Sequence, residues 1–376
     1  MDTGKNIKRR LLYTLFFLLT TVSMQCRISY KEEDKDLLEM QSVWEYCRVL
    51  SIYSDRDMYN DDHFPEYAEA MEMESPSAIV SALNDTLHSS ANNSTHTFGK
   101  YEPYSPECGG YASGASGVSK TSSISSVFFH EFTENTAYLD IDSFTTTTSE
   151  DIRFYSGKVS DKQNLIIDLR SNPGGLIDAC SSAVNIFLQE GEPYIEVTSR
   201  LGPWDKGDTG TITEVWRSTK KPDHGFENKD IVIIIDNNTA SAAEIFTVAL
   251  KDALTEEGRS DTVAAPERTT GRIASYGKSI GQYTLCLFSG GYLKLTSFAF
   301  KPIESPDFSE QGIEPDTLLS RTHVEASALE LLEPGIGNDY TPLSKHRTPD
   351  PLPKGSKARA EAFIHVSDPV LPDTLF

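Results

Sequence analysis

Three separate segments carry the residue types that acyl-transfer chemistry needs. Ser241 follows the apolar run 231–235 and opens a helical pattern, so its hydroxyl would lie near the positive end of a helix dipole, which favours an alkoxide-like charge. Lys278 follows a glycine beside an apolar strand pattern, and burial would lower its pKa until it could accept a proton. Gly174 and Gly175 follow a buried-strand pattern and could aim backbone N–H groups at a developing oxyanion.

Each segment also has a purely structural interpretation. Ser241 and Glu244 have the spacing of a capping box, in which a serine simply starts a helix. The Pro-Gly-Gly turn could only join a strand to a helix, and a lysine after a glycine is commonly an exposed loop residue. Taken one at a time, the three segments leave both interpretations open.

The order of apolar patterns predicts the scaffold that would position these side chains. Short apolar runs alternate with helical patterns between residues 127 and 320, which predicts an α/β layered core. The predicted strands are 127–132, 136–141, 164–169, 194–199, 231–235, 283–288 and 292–300, and the predicted helices are 150–158, 177–188 and 240–254.

The flanking sequence divides into four further segments. Residues 1–26 carry a basic start and the uncharged apolar run 11–22, which is the pattern of a secretory signal and too short to span a membrane. A small helical N-terminal region (27–100) and a Gly/Ser-rich linker (101–126) precede the predicted core (127–332). The Pro-rich segment 333–376 is predicted to be a flexible tail.

The end of the signal segment predicts how the chain is processed. Cys26 follows in the sequence SMQC, which resembles a bacterial lipoprotein signal in which the cysteine becomes acylated, although Gln25 stands where a small residue is usual. Lipidation at Cys26, with membrane attachment, and simple cleavage both remain open. Four cysteines then remain, and a Cys47–Cys108 disulfide is an option outside the cytoplasm.

Charge and cysteine spacing exclude some classes of function. The 376 residues include 34 Lys+Arg and 56 Asp+Glu, for a net charge of −22, which argues against a nucleic-acid partner because phosphate binding needs clustered cations. A solvated acidic surface explains this charge, and a surface selecting a basic partner is the alternative. No C-x-x-C pair is present, which argues against a zinc ribbon.

Taken together and in order, the motifs resemble those of peptidase family S41, the C-terminal-processing or tail-specific proteases. The resemblance spans about half of the chain, residues 135–330. It is carried by AYLDIDSF (137–144), IDLRSNPGG (167–175), TASAAE (239–244), SYGKSIGQ (275–282), LKLT (293–296) and GIEPD (312–316).

The resemblance implies a fold related to the ClpP/crotonase superfamily and a Ser-Lys dyad. By resemblance, Ser241 is the nucleophile and Lys278 is the general base. Glu244 occupies the accessory acidic position three residues after the serine, and Gln282 occupies the accessory position four residues after the lysine.

The resemblance also implies an oxyanion hole and a chemistry that needs no metal or cofactor. Backbone N–H groups of Ala242 and of Gly174 or Gly175 would stabilise the oxyanion. The substrate would be a protein or peptide.

Two departures from the family pattern matter. The 36 residues between Ser241 and Lys278 are more than usual, and aligning Thr270-Gly-Arg272 with the family motif would put an arginine, which cannot deprotonate, at the base position. Lys278 is preferred because its spacing along the sequence to Gln282 and Thr296 matches the family.

The second departure concerns the region before the core. Most relatives also carry a PDZ domain there, and 101–135 is too short for one. Substrate selection would then lie in the N-terminal region, the insertion or a partner.

Two functions follow as expectations. The first is an exported serine endopeptidase of the bacterial periplasm or cell surface, acting on envelope or exported proteins. The second is a catalytically inactive chain of the same fold that binds peptides or proteins. The presence of both Ser241 and Lys278 favours the enzyme.

Overall fold

The computed structural model describes residues 32–54, 67–91, 99–103, 125–200, 211–254, 269–271, 274–287, 291–318 and 324–336. The predicted signal with Cys26, the alternative base Arg272, most of the predicted linker and the tail beyond residue 336 lie outside these ranges. No helix among the described residues is long and apolar enough to cross a membrane.

Eleven strands are formed within the described ranges. They are β1 (Gly99–Glu102), β2 (Val127–Glu131), β3 (Thr136–Ile141), β4 (Asn164–Asp168), β5 (Pro193–Arg200), β6 (Thr211–Arg217), β7 (Asp230–Ile235), β8 (Thr269–Gly271), β9 (Ile280–Cys286), β10 (Tyr292–Lys301) and β11 (Thr317–Leu318).

The helices of the described ranges flank these strands. They are α1 (Glu32–Leu50), α2 (Tyr67–Met71), α3 (Pro76–Ala91), α4 (Thr148–Phe154), α5 (Ser156–Val159), α6 (Ile177–Val184), α7 (Ala242–Ala253) and α8 (Val324–Leu332), with a 3₁₀ turn at Ile52–Ser54.

The first sheet has six strands in the order β11-β8-β7-β4-β3-β2. Only β2 is antiparallel to its neighbour, and the other pairings are parallel. Every residue of β4 is buried, because α6 and α7 cover one face of the sheet and α8 covers the other. Parallel strands end at the same edge, so the loops that follow β4 and β7 emerge side by side.

The second sheet has five antiparallel strands, in which β10 pairs with β9 on one side and with β1 and β5 on the other. Leu293 and Leu295 of β10 are fully buried against Val43, Ile79 and Leu83 of α1 and α3. The N-terminal helices therefore cover one apolar face of this sheet and share a core with it.

The α/β expectation is confirmed, and the predicted strands and helices of the core are all present within a few residues. Strands β1, β6, β8 and β11 and helix α8 were not predicted. Strand β1 also crosses the predicted start of the linker at residue 101, because its pairing with β10 continues to Glu102.

The Cys47–Cys108 disulfide, which the sequence left open as an option, is not formed. Cys47 is a reduced, buried thiol inside the core that α1 and α3 form with β10, and Cys180 is likewise reduced and buried. Cys286, at the end of β9, is disulfide-bonded instead. Its partner lies outside the described residues.

Candidate active site

The loop after β4 and the turn after β7 are joined by hydrogen bonds. The Ala240 N–H donates to the Asn172 carbonyl oxygen over 3.0 Å, and the Thr239 hydroxyl donates to the Leu169 carbonyl oxygen over 2.8 Å. A Cβ atom added at Gly174 would lie 2.9 Å from Ser241 Cβ, so only glycine permits this contact. The structure thus brings the predicted glycine turn directly against the predicted nucleophile.

Ser241 does not have the backbone conformation of an ordinary helix cap. Its φ is 56° and its ψ is −119°, whereas a capping residue usually has an extended backbone. A positive φ in a residue with a side chain costs about 1–3 kcal/mol and persists only where the surroundings enforce it. Helix α7 begins at the next residue, Ala242, so the serine stands at a strained strand-to-helix turn. Such turns are typical of exposed nucleophiles.

Glu244 is fully buried, and its carboxylate accepts four hydrogen bonds. The Ser275 hydroxyl donates to Oε1 over 2.5 Å and the Gly277 N–H over 2.6 Å, while the N–H groups of Ser241 and Lys278 each donate to Oε2 over 2.8 Å. Burial raises the pKa of Glu244, and these four hydrogen bonds oppose the rise. The carboxylate therefore fixes the backbone of both the predicted nucleophile and the predicted base.

Lys278 lies two residues before β9, half-buried at the edge of the second sheet. Burial lowers the pKa of Lys278 from 10.5, the nearby Lys294 ammonium lowers it further, and Glu244 opposes both. Among the described residues, no hydrogen bond joins the Lys278 ammonium group to the Ser241 hydroxyl. Hydrogen bonds between catalytic groups are often long in unliganded enzymes and shorten in the substrate complex.

The two glycines of the predicted oxyanion loop differ in the use of their N–H groups. The Gly174 N–H donates to the Asn172 side chain over 2.8 Å. Gly175 is exposed and forms a parallel β-bridge with Phe144. The two hydrogen bonds of this bridge are donated by the N–H groups of Phe144 and Leu176, so the Gly175 N–H takes no part in it. Ala242 is the first residue of α7, so its N–H has no partner within the helix. Gly175 and Ala242 are therefore the better-placed pair of donors.

Gln282 lies on β9, four residues after Lys278. Its amide donates to the Thr296 hydroxyl on β10 over 3.1 Å, and the two residues are directly paired across the strands. The Gln282 side chain therefore links β9, the strand that follows Lys278, to β10.

Three further residues that hold the site together were missed by the sequence reasoning. Asn172 is buried, donates to the Ile141 carbonyl oxygen over 2.7 Å and so ties the glycine loop to β3. Thr239 accepts the Tyr276 N–H over 2.9 Å, and Ser275 donates to Glu244. The available signal was that all three lie inside the quoted motifs 167–175, 239–244 and 275–282.

A buried network of charged side chains supports the glycine loop that follows β4. Arg170 donates to Asp168 over 2.5 Å and also to Glu325 of α8, while Tyr138 donates to Asp168. The Arg170 side chain is 7% exposed. Helix α8 is thereby attached to the start of the glycine loop.

Comparison with known proteins finds sequence similarity over the α/β core. Residues 135–319 match the model of peptidase family S41. The carboxy-terminal processing protease CtpB of Bacillus subtilis is 28% identical over 200 residues, and a probable CtpA-like serine protease of Staphylococcus epidermidis is 26% identical over 188 residues. These alignments cover 52% and 50% of this chain and 37% and 34% of those proteins, so the chain spans only about a third of each relative.

A solved structure extends the likeness beyond the matched core. The structure of a lipoprotein from Streptococcus agalactiae aligns with a TM-score of 0.52 and 16% identity, over 81% of this chain and 99% of that one. At this level of identity the two chains share a fold.

Proposed function

This chain belongs to peptidase family S41 through residues 135–319, and on that premise we propose that it is a serine endopeptidase working through a Ser241–Lys278 dyad. One observation carries the proposal: the buried Glu244 carboxylate binds the backbone of both residues through a single oxygen, at a strained turn that holds Ser241 in a left-handed conformation.

The proposed reaction follows from the atoms at this turn. Neutral Lys278 takes the Ser241 hydroxyl proton as Oγ attacks a peptide carbonyl carbon. The N–H groups of Gly175 and Ala242 donate to the resulting oxyanion. As the C–N bond breaks, Lys278 returns the proton to the leaving amine, and water then hydrolyses the acyl-enzyme. Glu244 stays an acceptor for backbone N–H groups throughout.

The electrostatics of the site support Lys278 as the base. A lysine with an ordinary pKa is protonated at neutral pH and cannot accept a proton. Burial and the neighbouring Lys294 both lower the pKa of Lys278, which raises the fraction of neutral amine.

The second candidate is an inactive chain of the same fold that binds peptides. One observation favours it: in the described part of the chain, Ser241 and Lys278 are not hydrogen-bonded to each other. A binding protein would keep the strained turn without needing a proton path between these side chains.

We also propose that the protein is exported. The signal-like segment 1–26 supports this, and so does the disulfide at Cys286, because such bonds persist in oxidising compartments. Envelope or exported proteins would then be the substrates, and Cys26 would be the site of lipid attachment. Mass spectrometry of the mature N-terminus in the native host would distinguish an acylated cysteine from simple cleavage.

Turnover of an unfolded protein such as reduced casein tests the proposed enzyme. Wild type should cleave it, while Ser241→Ala and Lys278→Ala should each lose at least about a thousandfold in kcat/KM, as loss of a nucleophile or its base does. Glu190→Gln, at an exposed carboxylate, serves as the control and should keep wild-type turnover. Equal turnover by wild type and both dyad variants would refute the mechanism.

A further inference from the structure

The loop that joins β10 to β11, residues 302–316, starts on a buried carboxylate of α7. Asp252, in the last turn of α7, is 4% exposed. It accepts the backbone N–H groups of Ile303, Glu304 and Ser305 over 3.0, 2.9 and 3.1 Å, and it also accepts the Ser305 hydroxyl. These four donors fix the start of the β10–β11 loop on the helix, because hydrogen bonds to a charged group are stronger than those between neutral groups.

The end of the β10–β11 loop is attached to the same turn of α7. The Lys251 ammonium group donates to Asp316 Oδ1 over 2.5 Å, and Lys251 directly precedes Asp252. Both ends of the loop are therefore bound to neighbouring residues of one helix. Asp316 closes the segment GIEPD (312–316), a motif that the proposed reaction does not use.

The middle of the loop reaches the other end of α7, where Glu244 lies. The Ile313 N–H donates to the Ser275 hydroxyl oxygen over 2.7 Å, and this hydroxyl donates in turn to Glu244. The Ser275 N–H donates back to the Ile313 carbonyl oxygen over 3.2 Å. Glu244 and Asp252 are eight residues apart, which is about 12 Å along the helix axis. The loop thus spans from Asp252 to the carboxylate that binds the backbones of the proposed dyad.

A second contact joins the loop to the residue before Lys278. The Glu310 N–H donates to the Gly277 carbonyl oxygen over 2.7 Å, and a Cβ atom added at Gly277 would lie 2.6 Å from the Glu310 carbonyl carbon. Glu310 has a φ of 65°, and a positive φ in a residue with a side chain persists only where the surrounding structure enforces it. The Glu310 backbone is therefore held against Gly277 at a cost in strain.

We infer that Asp252 is a positioning residue for the proposed general base. By fixing the start of the β10–β11 loop, it holds the middle of that loop against Ser275 and Gly277 and so sets the place of Lys278 relative to Ser241. The inference rests on the proposed function, because it adds a residue that supports the proposed dyad. The simpler alternative is that Asp252 only stabilises the fold, and the tests below separate the two.

The first test compares casein turnover by wild type, Asp252→Asn and Thr247→Ala, well below the unfolding temperature of each. Asp252→Asn places an NH2 group where N–H donors of the loop point. It should lower kcat at least about tenfold, since misplacing a catalytic group by about 1 Å can cost a hundredfold. KM should change less than about twofold, because the loss falls on the chemical step.

Thr247→Ala is the matched control for a general loss of stability. Thr247 is buried in the same helix, and its hydroxyl donates to the Ala243 carbonyl oxygen over 2.8 Å. The change therefore removes a buried hydrogen bond that stays within α7. Thr247→Ala should keep the wild-type kcat and KM.

The pH profile gives a readout that a merely structural role would not move. A looser loop would let water reach the Lys278 ammonium group, so the burial that lowers the pKa of Lys278 from 10.5 would weaken. The ascending limb of kcat/KM should then move to higher pH in Asp252→Asn. Lys294 and Glu244, the other charged groups that act on this pKa, are kept in every variant. A kcat and an ascending limb equal to those of Thr247→Ala would overturn the inference.

A milder pair of variants decides the question if Asp252→Asn does not fold. Ser305→Ala removes only the hydroxyl that donates to Asp252. Ser309→Ala removes a hydroxyl of the same loop that forms no hydrogen bond among the described residues. Ser305→Ala should lower kcat at least about threefold, whereas Ser309→Ala should leave it unchanged. Equal kcat values for the two variants would overturn the inference.

Hydrogen–deuterium exchange separates this inference from the proposed function, because it needs no turnover. The N–H groups of Gly277 and Lys278 are protected by their hydrogen bonds to Glu244. Asp252→Asn should speed exchange in peptides covering 274–280 at least about tenfold and leave peptides of β4 unchanged. This result supports Asp252 even if wild type cleaves nothing. Unchanged exchange over 274–280 rejects the role of Asp252 even if wild type is an active protease.

Discussion

Ser241 and Lys278 donate their backbone N–H groups to the same oxygen atom, Glu244 Oε2, each over 2.8 Å. The two backbone nitrogens therefore lie within twice that distance of each other. The carboxylate that joins them is fully buried. The relative position of the proposed nucleophile and base is thus set through their backbones by a third residue.

Glu244→Gln should damage both activity and stability. An amide cannot accept on its NH2 group, so at least one of the four donors that face the carboxylate would meet another donor. Leaving one buried donor unsatisfied costs about 1–3 kcal/mol of unfolding free energy. We expect a loss of at least about tenfold in kcat from the displaced dyad. The control is Glu190→Gln, at an exposed carboxylate.

Urea unfolding and casein turnover measure the two effects of Glu244→Gln separately. A variant with wild-type kcat and an unchanged unfolding midpoint would show that Glu244 does not position the dyad.

The sequence predicted those parts of the fold whose pattern is local. The run 231–235 is apolar at every position because β7 is covered on both faces, and such a run is visible without knowing its neighbours. Strand β6 was missed because it is largely exposed, with no apolar alternation to detect. Strand β1 was missed because GKYE has no strong strand pattern and forms through its pairing with β10.

The site was predictable to a similar extent. The order of motifs singled out Ser241, Lys278 and Glu244, but the hydrogen bonds by which the Glu244 carboxylate holds the backbones of the other two are visible only in the structure. The pairing of Gln282 with Thr296 depends on the register of β9 against β10. Register is a long-range property that no local pattern encodes.

Ser241→Gly should stabilise the fold while removing the proposed activity. Glycine adopts a positive φ without steric cost, so releasing the strain at φ 56° should raise the unfolding free energy by about 1 kcal/mol. Ser241→Ala removes the same hydroxyl but keeps a Cβ atom, so it should not gain this stability. Thermal unfolding of the two variants side by side measures the difference, and equal melting temperatures would show that the turn is unstrained.

The pH dependence of kcat/KM should report the titration of Lys278. Only the neutral form of Lys278 is a base, so activity should rise as pH increases through its pKa. That pKa lies below 10.5, because burial and Lys294 lower it and Glu244 only partly opposes them. Lys294→Gln removes the repulsion, so the Lys278 pKa should rise and the ascending limb should move to higher pH. A limb that stays in place in Lys294→Gln would show that the two ammonium groups do not interact.

The same shift predicts how stability depends on pH. Between the lowered pKa of folded Lys278 and 10.5, this lysine is protonated in the unfolded state but neutral in the folded state. The contribution of Lys278 to the unfolding free energy therefore increases with pH across that window. Below the lowered pKa, the buried charge remains a destabilising contribution. Lys278→Met should remove this pH dependence, which urea unfolding at several pH values would measure.

Arg170→Met should be strongly destabilising. It would leave Asp168 and Glu325 facing each other in a buried place without their cation, and breaking one side of a buried pair costs about 3–5 kcal/mol. Arg153→Met is the matched control, since the Arg153 pair with Asp223 is more exposed and should contribute no more than about 1 kcal/mol. Similar urea midpoints for the two variants would contradict the supporting role of the network.

Gly174→Ala should abolish activity through the turn at Ser241. Its φ is +98°, and an added Cβ would lie 2.7 Å from the Ala240 carbonyl oxygen and 2.9 Å from the Ala242 nitrogen, so the nucleophile turn would have to move. A misplacement of about 1 Å can cost a hundredfold in rate. Gly191→Ala is the matched control, because Gly191 has a φ of +85° with open space around it and carries only the backbone strain of about 1–2 kcal/mol. If Gly174→Ala retained the casein turnover of Gly191→Ala, the close contact between Gly174 and Ser241 would not be needed for catalysis.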